Sequence, residues 1–199
     1  MAKQAMAAGA TQLILTARHP ACTTGFRELP PSDIVHWVEM DFLDSRSISA
    51  AATQIIEKIP IIDRLIMVGG VLKDNETQPE KRLSDIDPNA LHYSYQVNAI
   101  GPILLVKSLW QILRQPRPLV IASLSARVGS IADNQLGGWY GYRASKAALN
   151  QLSHTAAIEL ARYNPNSCMV TLHPGTVDTD LSRPFQKMTT TTSIFSADQ

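Results

Sequence analysis

Cysteine is scarce: Cys22 and Cys168 are the only two in 199 residues, and neither belongs to a Cys-x-x-Cys pair. No histidines stand beside them at metal-ligand spacing, which removes the basis for a disulfide framework or a metal site. Charge of one sign is equally scarce. Charged residues make up 18% of the chain and the net charge is +1, giving neither a basic surface for nucleic acid nor an acidic tail. Long apolar runs are missing too. Stretches such as Ile103 to Val106 fall far short of the roughly 20 residues a membrane span needs. The opening residues, MAKQAMAAGA, lack the apolar core of a signal peptide. No internal repeat or linker divides the chain. Its 45% hydrophobic content suffices for one domain over residues 1–199, expected to be soluble and cytoplasmic.

What is present is alternation. Apolar runs of strand length lie at Leu13–Thr16, His36–Met40, Arg64–Val68, Leu119–Leu124 and Met169–Leu172. Between them run helical patterns at Ala2–Ala8, Ser47–Lys58, Pro88–Arg114 and Tyr142–Tyr163. Three of the strands are continuous Val/Ile/Leu/Met runs, the pattern of strands covered on both faces. Such alternation predicts right-handed βαβ units and an α/β fold with a doubly wound parallel sheet. Asp87-Pro88 offers a capping side chain and a proline at the first helical position. Pro102, inside the same helix, predicts a kink or a compensating adjustment.

Tyr142 and Lys146 stand one turn apart on one face of the last helix. A phenol in water loses its proton near pH ~10. An ammonium group beside it favours phenolate, so the pair predicts a tyrosine that exchanges a proton near neutral pH. The spacing alone also describes exposed pairs of no consequence. Tyr140 has Ala144 as its fourth neighbour, so only Tyr142 has the right partner.

The surrounding residues add what the spacing lacks. Tyr142-Arg-Ala-Ser-Lys-Ala-Ala-Leu-Asn150 opens a helix after the strand Leu119–Leu124 and a Ser-rich loop. Here, and from Thr11 to about Pro184, the chain resembles the short-chain dehydrogenase/reductase family. Leu124-Ser-Ala-Arg-Val-Gly-Ser-Ile131 and Gly137-Gly-Trp-Tyr-Gly-Tyr142 are most similar to its C-factor and sniffer-type carbonyl reductase branch. The resemblance implies a Rossmann-like fold and reversible hydride transfer between a nicotinamide cofactor and a small carbonyl or alcohol. It also implies a homodimer or homotetramer. Tyr142 would be the general acid/base, and Lys146 would lower its pKa and bind the nicotinamide ribose. Asn98, in Val97-Asn-Ala-Ile-Gly101, would hold through its main chain a water linked to the lysine. The family polarises the carbonyl with a serine after this strand. Counting back from Gly129 puts Ala126 in that register, with Ser125 one residue earlier and Ser130 further along. Ser125, nearest the strand's carboxyl end, is the favoured donor.

Arg18 stands where the family's NAD enzymes carry an acid for the adenosine ribose. A guanidinium there can bond a 2′-phosphate, so NADP(H) is expected over NAD(H). Asp41-Phe42 is similar to the pair that meets the adenine, and Gly69-Gly70 to the turn beside the cofactor. In His173-Pro-Gly-Thr-Val-Asp-Thr179, the residues Pro174, Gly175, Val177 and Thr179 would contact the nicotinamide. The family's Thr-Gly-x-x-x-Gly-x-Gly turn, whose N–H groups hold the pyrophosphate, is not in the sequence. The expectation is therefore a domain lacking the first strand with that turn and the last helix and strand. Weak cofactor binding follows from it.

Overall fold

The computed structural model describes residues 1–23, 29, 32–74, 77–179, 182–183 and 194–196. Helix α1 (Ala2–Ala7) leads into strand β1 (Leu13–Ala17), which pairs in parallel with β2 (Val35–Glu39). Strands β3 (Arg64–Met67), β4 (Leu119–Leu124) and β5 (Ser167–Leu172) form a second parallel sheet in that order. The Rossmann-like α/β architecture is the expected one, with each of the five predicted strands within two residues of its expected bounds.

Helix α2 (Ser45–Lys58) follows β2. The Asp44 side chain accepts from the Arg46 N–H and caps it. Its buried residues Ile48, Ala51, Ala52 and Ile55 recur at the spacing of one helical face. They meet Val38, Met67, Leu105, Leu109, Leu119, Ile121 and Leu160 in one core. Both sheets therefore contribute to the same core, although β1 and β3 do not pair with each other.

The expectation of strands covered on both faces is corrected. In the β3-β4-β5 sheet, Met67, Leu119 and Ile121 are buried, while Ile66, Val120 and Leu172 on the opposite face are 49%, 42% and 45% exposed. An apolar run states that both faces of a strand suit burial. It does not supply the second layer, and the described helices cover one face.

The long predicted helix is segmented. It runs as α3 (Pro88–Tyr95), a π-helical turn over Gln96–Ile100, α4 (Gly101–Ser108) and α5 (Trp110–Leu113). Asp87 caps α3 by accepting from the Ala90 N–H at 2.9 Å. Pro102 has no N–H to offer the carbonyl of Asn98 four residues back, and the wider π turn absorbs that mismatch without a break. No helix among the described residues is long and apolar enough to cross a membrane.

Candidate active site

Helix α6 (Tyr140–Tyr163) carries Tyr142 and Lys146. It starts two residues earlier than expected, after an unusual entry: Gly137, Gly138 and Trp139 all have left-handed backbones, with φ of 65°, 65° and 54°. Glycine adopts this freely, but a tryptophan does so only under constraint. Arg143 holds the turn from within the helix, donating from Nε to the Gly138 carbonyl at 2.9 Å and from Nη2 to that of Gly137. The Trp139 ring meets the Tyr142 ring edge-on at 6.4 Å.

Lys146 is 3% exposed and donates from Nζ to the Leu124 carbonyl at 2.8 Å. Its ammonium stands over the Tyr142 ring, 5.7 Å from the centroid. Burial pushes the Tyr142 phenol up to about 12 and pulls the Lys146 ammonium down to about 8. The expected lowering of the tyrosine by the lysine is thus outweighed. Desolvation disfavours the charged form of each group, phenolate for the tyrosine and ammonium for the lysine.

Asn98 is fully buried in the π turn. Its Oδ1 accepts from the Val71 N–H at 2.8 Å, and its Nδ2 donates to the Val71 carbonyl at 2.9 Å and to Ser145 Oγ at 3.0 Å. One amide thereby ties the loop after β3 to α6. A Cβ on Gly70 would lie 3.2 Å from both Asn98 Oδ1 and Lys146 Nζ, so the missing side chain leaves the two polar groups open at this corner.

Ser125, just past β4, donates to Asn150 Oδ1 at 2.7 Å, and its own N–H reaches the Leu172 carbonyl. A Cβ on Gly129 would lie 3.0 Å from the Lys146 backbone, which shows how closely this loop is laid on α6. Ala126 leads into a short 3-10 turn. Ser130 is exposed and accepts from the Asp133 N–H at 3.3 Å. Of the two candidate serines, Ser125 is the one bonded to the helix that carries the tyrosine. Asn150 and Ser145 escaped the sequence reading. Asn150 follows Lys146 by four residues and shares its face, a signal that was present.

Arg18 is exposed just past β1. Asp41 Oδ1 accepts from the Leu43 N–H at 2.9 Å, and the Phe42 carbonyl accepts from Gln96 Nε2 at 2.8 Å. The Phe42 ring approaches Gly69, where a Cβ would lie 3.0 Å from it. Past β5, Pro174 is exposed and Gly175 takes φ 79°. Thr176–Val177 forms β6, paired with β7 (Ile194–Phe195), and the Thr179 N–H reaches Ser182 Oγ at 3.2 Å. A strand in the tail beyond Ser182 was not foreseen. The predicted site residues thus follow the carboxyl ends of the parallel strands, the side on which open α/β sheets assemble their sites.

An open parallel α/β fold thus carries a half-buried tyrosine beside a buried lysine near the start of α6. The profile of the short chain dehydrogenase family matches residues 1–190, and the chain belongs to that family. It is 28% identical over 165 residues to 1-hydroxy-2-glutathionyl-2-methyl-3-butene dehydrogenase of Rhodococcus sp. (strain AD45), covering 83% of this chain and 69% of the relative. It is 37% identical over 103 residues to C-signal of Myxococcus xanthus, covering 51% and 60% respectively. Among solved structures, an NADP-bound short-chain dehydrogenase/reductase of Burkholderia multivorans superposes with a TM-score of 0.78 at 26% identity, covering 98% of this chain and 78% of that one. The carbonyl reductase Sniffer of D. melanogaster superposes at 0.76 with 25% identity, covering 85% and 71%. The likeness to C-signal and Sniffer agrees with the branch that the loop motifs indicated.

Proposed function

We propose that this oxidoreductase reduces a small aldehyde or ketone to the alcohol, reversibly, with NADP(H) preferred over NAD(H). The carrying observation is the placing of Tyr142: half-buried, one helical turn from the buried Lys146, whose Nζ stands 5.7 Å from the ring centroid. A phenol held protonated is a proton donor, which is what a carbonyl oxygen needs as it becomes an alcohol.

The donor set suits the nicotinamide half of the cofactor. Lys146 Nζ and the open corner at Gly70 would offer hydrogen bonds to ribose hydroxyls, and Pro174, Gly175, Val177 and Thr179 would flank the ring. Arg18 and Asp41 would meet the adenosine end, with Gly69 and Phe42 between. Bound NADPH supplies the hydride. Tyr142 would give its proton to the substrate oxygen, and the Lys146 ammonium beside the ring would stabilise the phenolate left behind. Asn98 fixes the corner through its side chain, which holds Val71 and Ser145. Ser125 polarises the carbonyl by exchanging its present acceptor, Asn150, for the substrate oxygen.

The test is NADPH oxidation by the purified chain with an aromatic aldehyde, followed by nicotinamide absorbance. Turnover that disappears in Tyr142→Phe supports the reading, and turnover that survives this change sinks it. A second reading, a scaffold used in signalling without catalysis, draws on the C-signal likeness and on the Ser125 proton being engaged. It requires the unaltered chain to show no turnover. The exposed Ile158 and Tyr163 on α6 support a homodimer or homotetramer, which light scattering would reveal.

A further inference from the structure

Helix α6 has no cap of its own. The side chain of its N-cap residue, Trp139, does not cap the helix, and the first turn contains no acidic residue. Helix first turns leave N–H groups without intrahelical partners and fray most easily. Tyr142 is the third residue of this turn, so fraying would move the very group the proposed reaction depends on.

The missing cap comes from elsewhere in the chain. Glu80, 6% exposed, lies 61 residues upstream, and both its carboxylate oxygens accept from the Gly141 N–H at 3.2 Å. Its main-chain carbonyl accepts from the Trp139 N–H. One residue thus grips both the left-handed tryptophan and the amide next to Tyr142. Gly141 is glycine for a local reason: a Cβ there would lie 2.9 Å from Glu80 Oε1 and 3.2 Å from Leu91 Cδ2 on α3. The loop that delivers Glu80 is itself anchored. Asp74 accepts from the Thr77 N–H at 3.0 Å and from the Tyr93 hydroxyl of α3 at 2.6 Å. A buried carboxylate is costly to desolvate and persists only where donors or positive charge receive it. The amino end of a 24-residue helix supplies both.

We propose that Glu80 is a positioning residue for the proton-transfer site, acting as a long-range cap that fixes the first turn of α6 and so the Tyr142 phenol relative to Lys146. This rests on Tyr142 being the proton donor. No contact between Glu80 and substrate is required, so its removal should lower kcat and leave the KM for NADPH where it is.

The experiment compares the unaltered chain with Glu80→Ala, Glu80→Gln, Gly141→Ala and Tyr142→Phe, at a temperature where thermal unfolding shows each to be folded. Two readouts are taken: kcat and KM for NADPH-dependent reduction of 4-nitrobenzaldehyde, and the NMR signal of 13Cζ-labelled Tyr142, assigned by its loss in Tyr142→Phe. Glu80→Ala should reduce kcat by on the order of 10- to 100-fold through misplacement alone, and should shift and broaden the Tyr142 signal. Glu80→Gln, which keeps one oxygen for the Gly141 N–H, should restore most of both. Gly141→Ala keeps the carboxylate but pushes it away, and should imitate Glu80→Ala even if that variant does not fold. A folded Glu80→Ala or Gly141→Ala with kcat and Tyr142 signal unchanged overturns the proposal, as does a Gln variant as impaired as Ala. If the unaltered chain has no turnover, the functional reading fails separately, and the Tyr142 signal alone decides the positioning role.

Discussion

The Ser125 hydroxyl gives its proton to Asn150 Oδ1, 2.7 Å away, across the boundary between the loop after β4 and helix α6. A hydroxyl that polarises a carbonyl must donate to it, so on the proposed reading this bond would be exchanged when substrate arrives. Asn150 therefore sets where the hydroxyl waits. Replacing Asn150 with Ala should cost about one hydrogen bond's worth of orientation, roughly tenfold in kcat/KM. Ser125→Ala should cost more. Steady-state kinetics on the two variants and their double mutant checks this, and additive losses would mean the two side chains act independently.

Gly101 is where two rules oppose each other. Alanine in a helix is favoured over glycine by about 1 kcal/mol. At this position, however, a Cβ would lie 2.5 Å from Phe42 Cβ and 2.6 Å from its Cγ. Overpacking typically costs about 1–3 kcal/mol, and neither partner atom is the far end of a flexible chain. The clash should win: Gly101→Ala is expected to lower Tm, and a raised Tm in calorimetry would contradict it.

Tyr142 and Lys146 should be visible in stability against pH. The Lys146 ammonium falls from its ordinary 10.5 to about 8 in the folded chain. Between those values the unfolded chain binds a proton that the folded chain has lost, so this group makes stability rise with pH across that window. Tyr142 goes the other way, from 10.0 to about 12. Between those values the folded chain keeps a proton that the unfolded chain releases, so its contribution is full below pH 10 and is lost as pH rises to about 12. Urea midpoints measured against pH should lose the first trend in Lys146→Met and the second in Tyr142→Phe.

On the proposed reading, cofactor choice would turn on Arg18. A guanidinium beyond β1 would bond a 2′-phosphate in a forked geometry, whereas an acid there would repel it. Arg18→Asp should raise the KM for NADPH by about tenfold or more while improving use of NADH. An unchanged ratio of kcat/KM for the two cofactors would remove Arg18 from the adenosine site.

The elements that reveal themselves in sequence are those with local causes. Asp87-Pro88 announces the start of α3, and the apolar run Leu119–Leu124 gives β4 to the residue. Tyr142 and Lys146 could be found because four residues make one helical turn. Glu80 could not, since its partner lies 61 residues away and no periodicity links a loop carboxylate to a distant amide. The π turn was foreseen only as trouble at Pro102, because the sequence marks the residue that lacks an N–H and not the way the backbone accommodates it. The direction of the Tyr142 shift was not legible for a related reason: the sequence shows the neighbouring lysine, whereas burial is a property of the assembled fold.

The π turn at Gln96–Ile100 has a geometric consequence beyond Asn98 itself. Each residue of an α-helix advances the chain by ~100° around its axis, so an extra residue in one turn changes the rotational phase of everything before it relative to everything after. Upstream of the turn, Leu91 and Ser94 face Gly141 of α6; downstream, Leu105 and Leu109 face the core beneath α2. One nearly continuous rod is thereby dialled to two neighbours at once. Shortening this segment by a single residue would leave hydropathy and composition almost untouched, yet it would turn α3 by ~100° away from the helix that carries the tyrosine. The angle at which α3 meets α6 is set by the residue count of one turn.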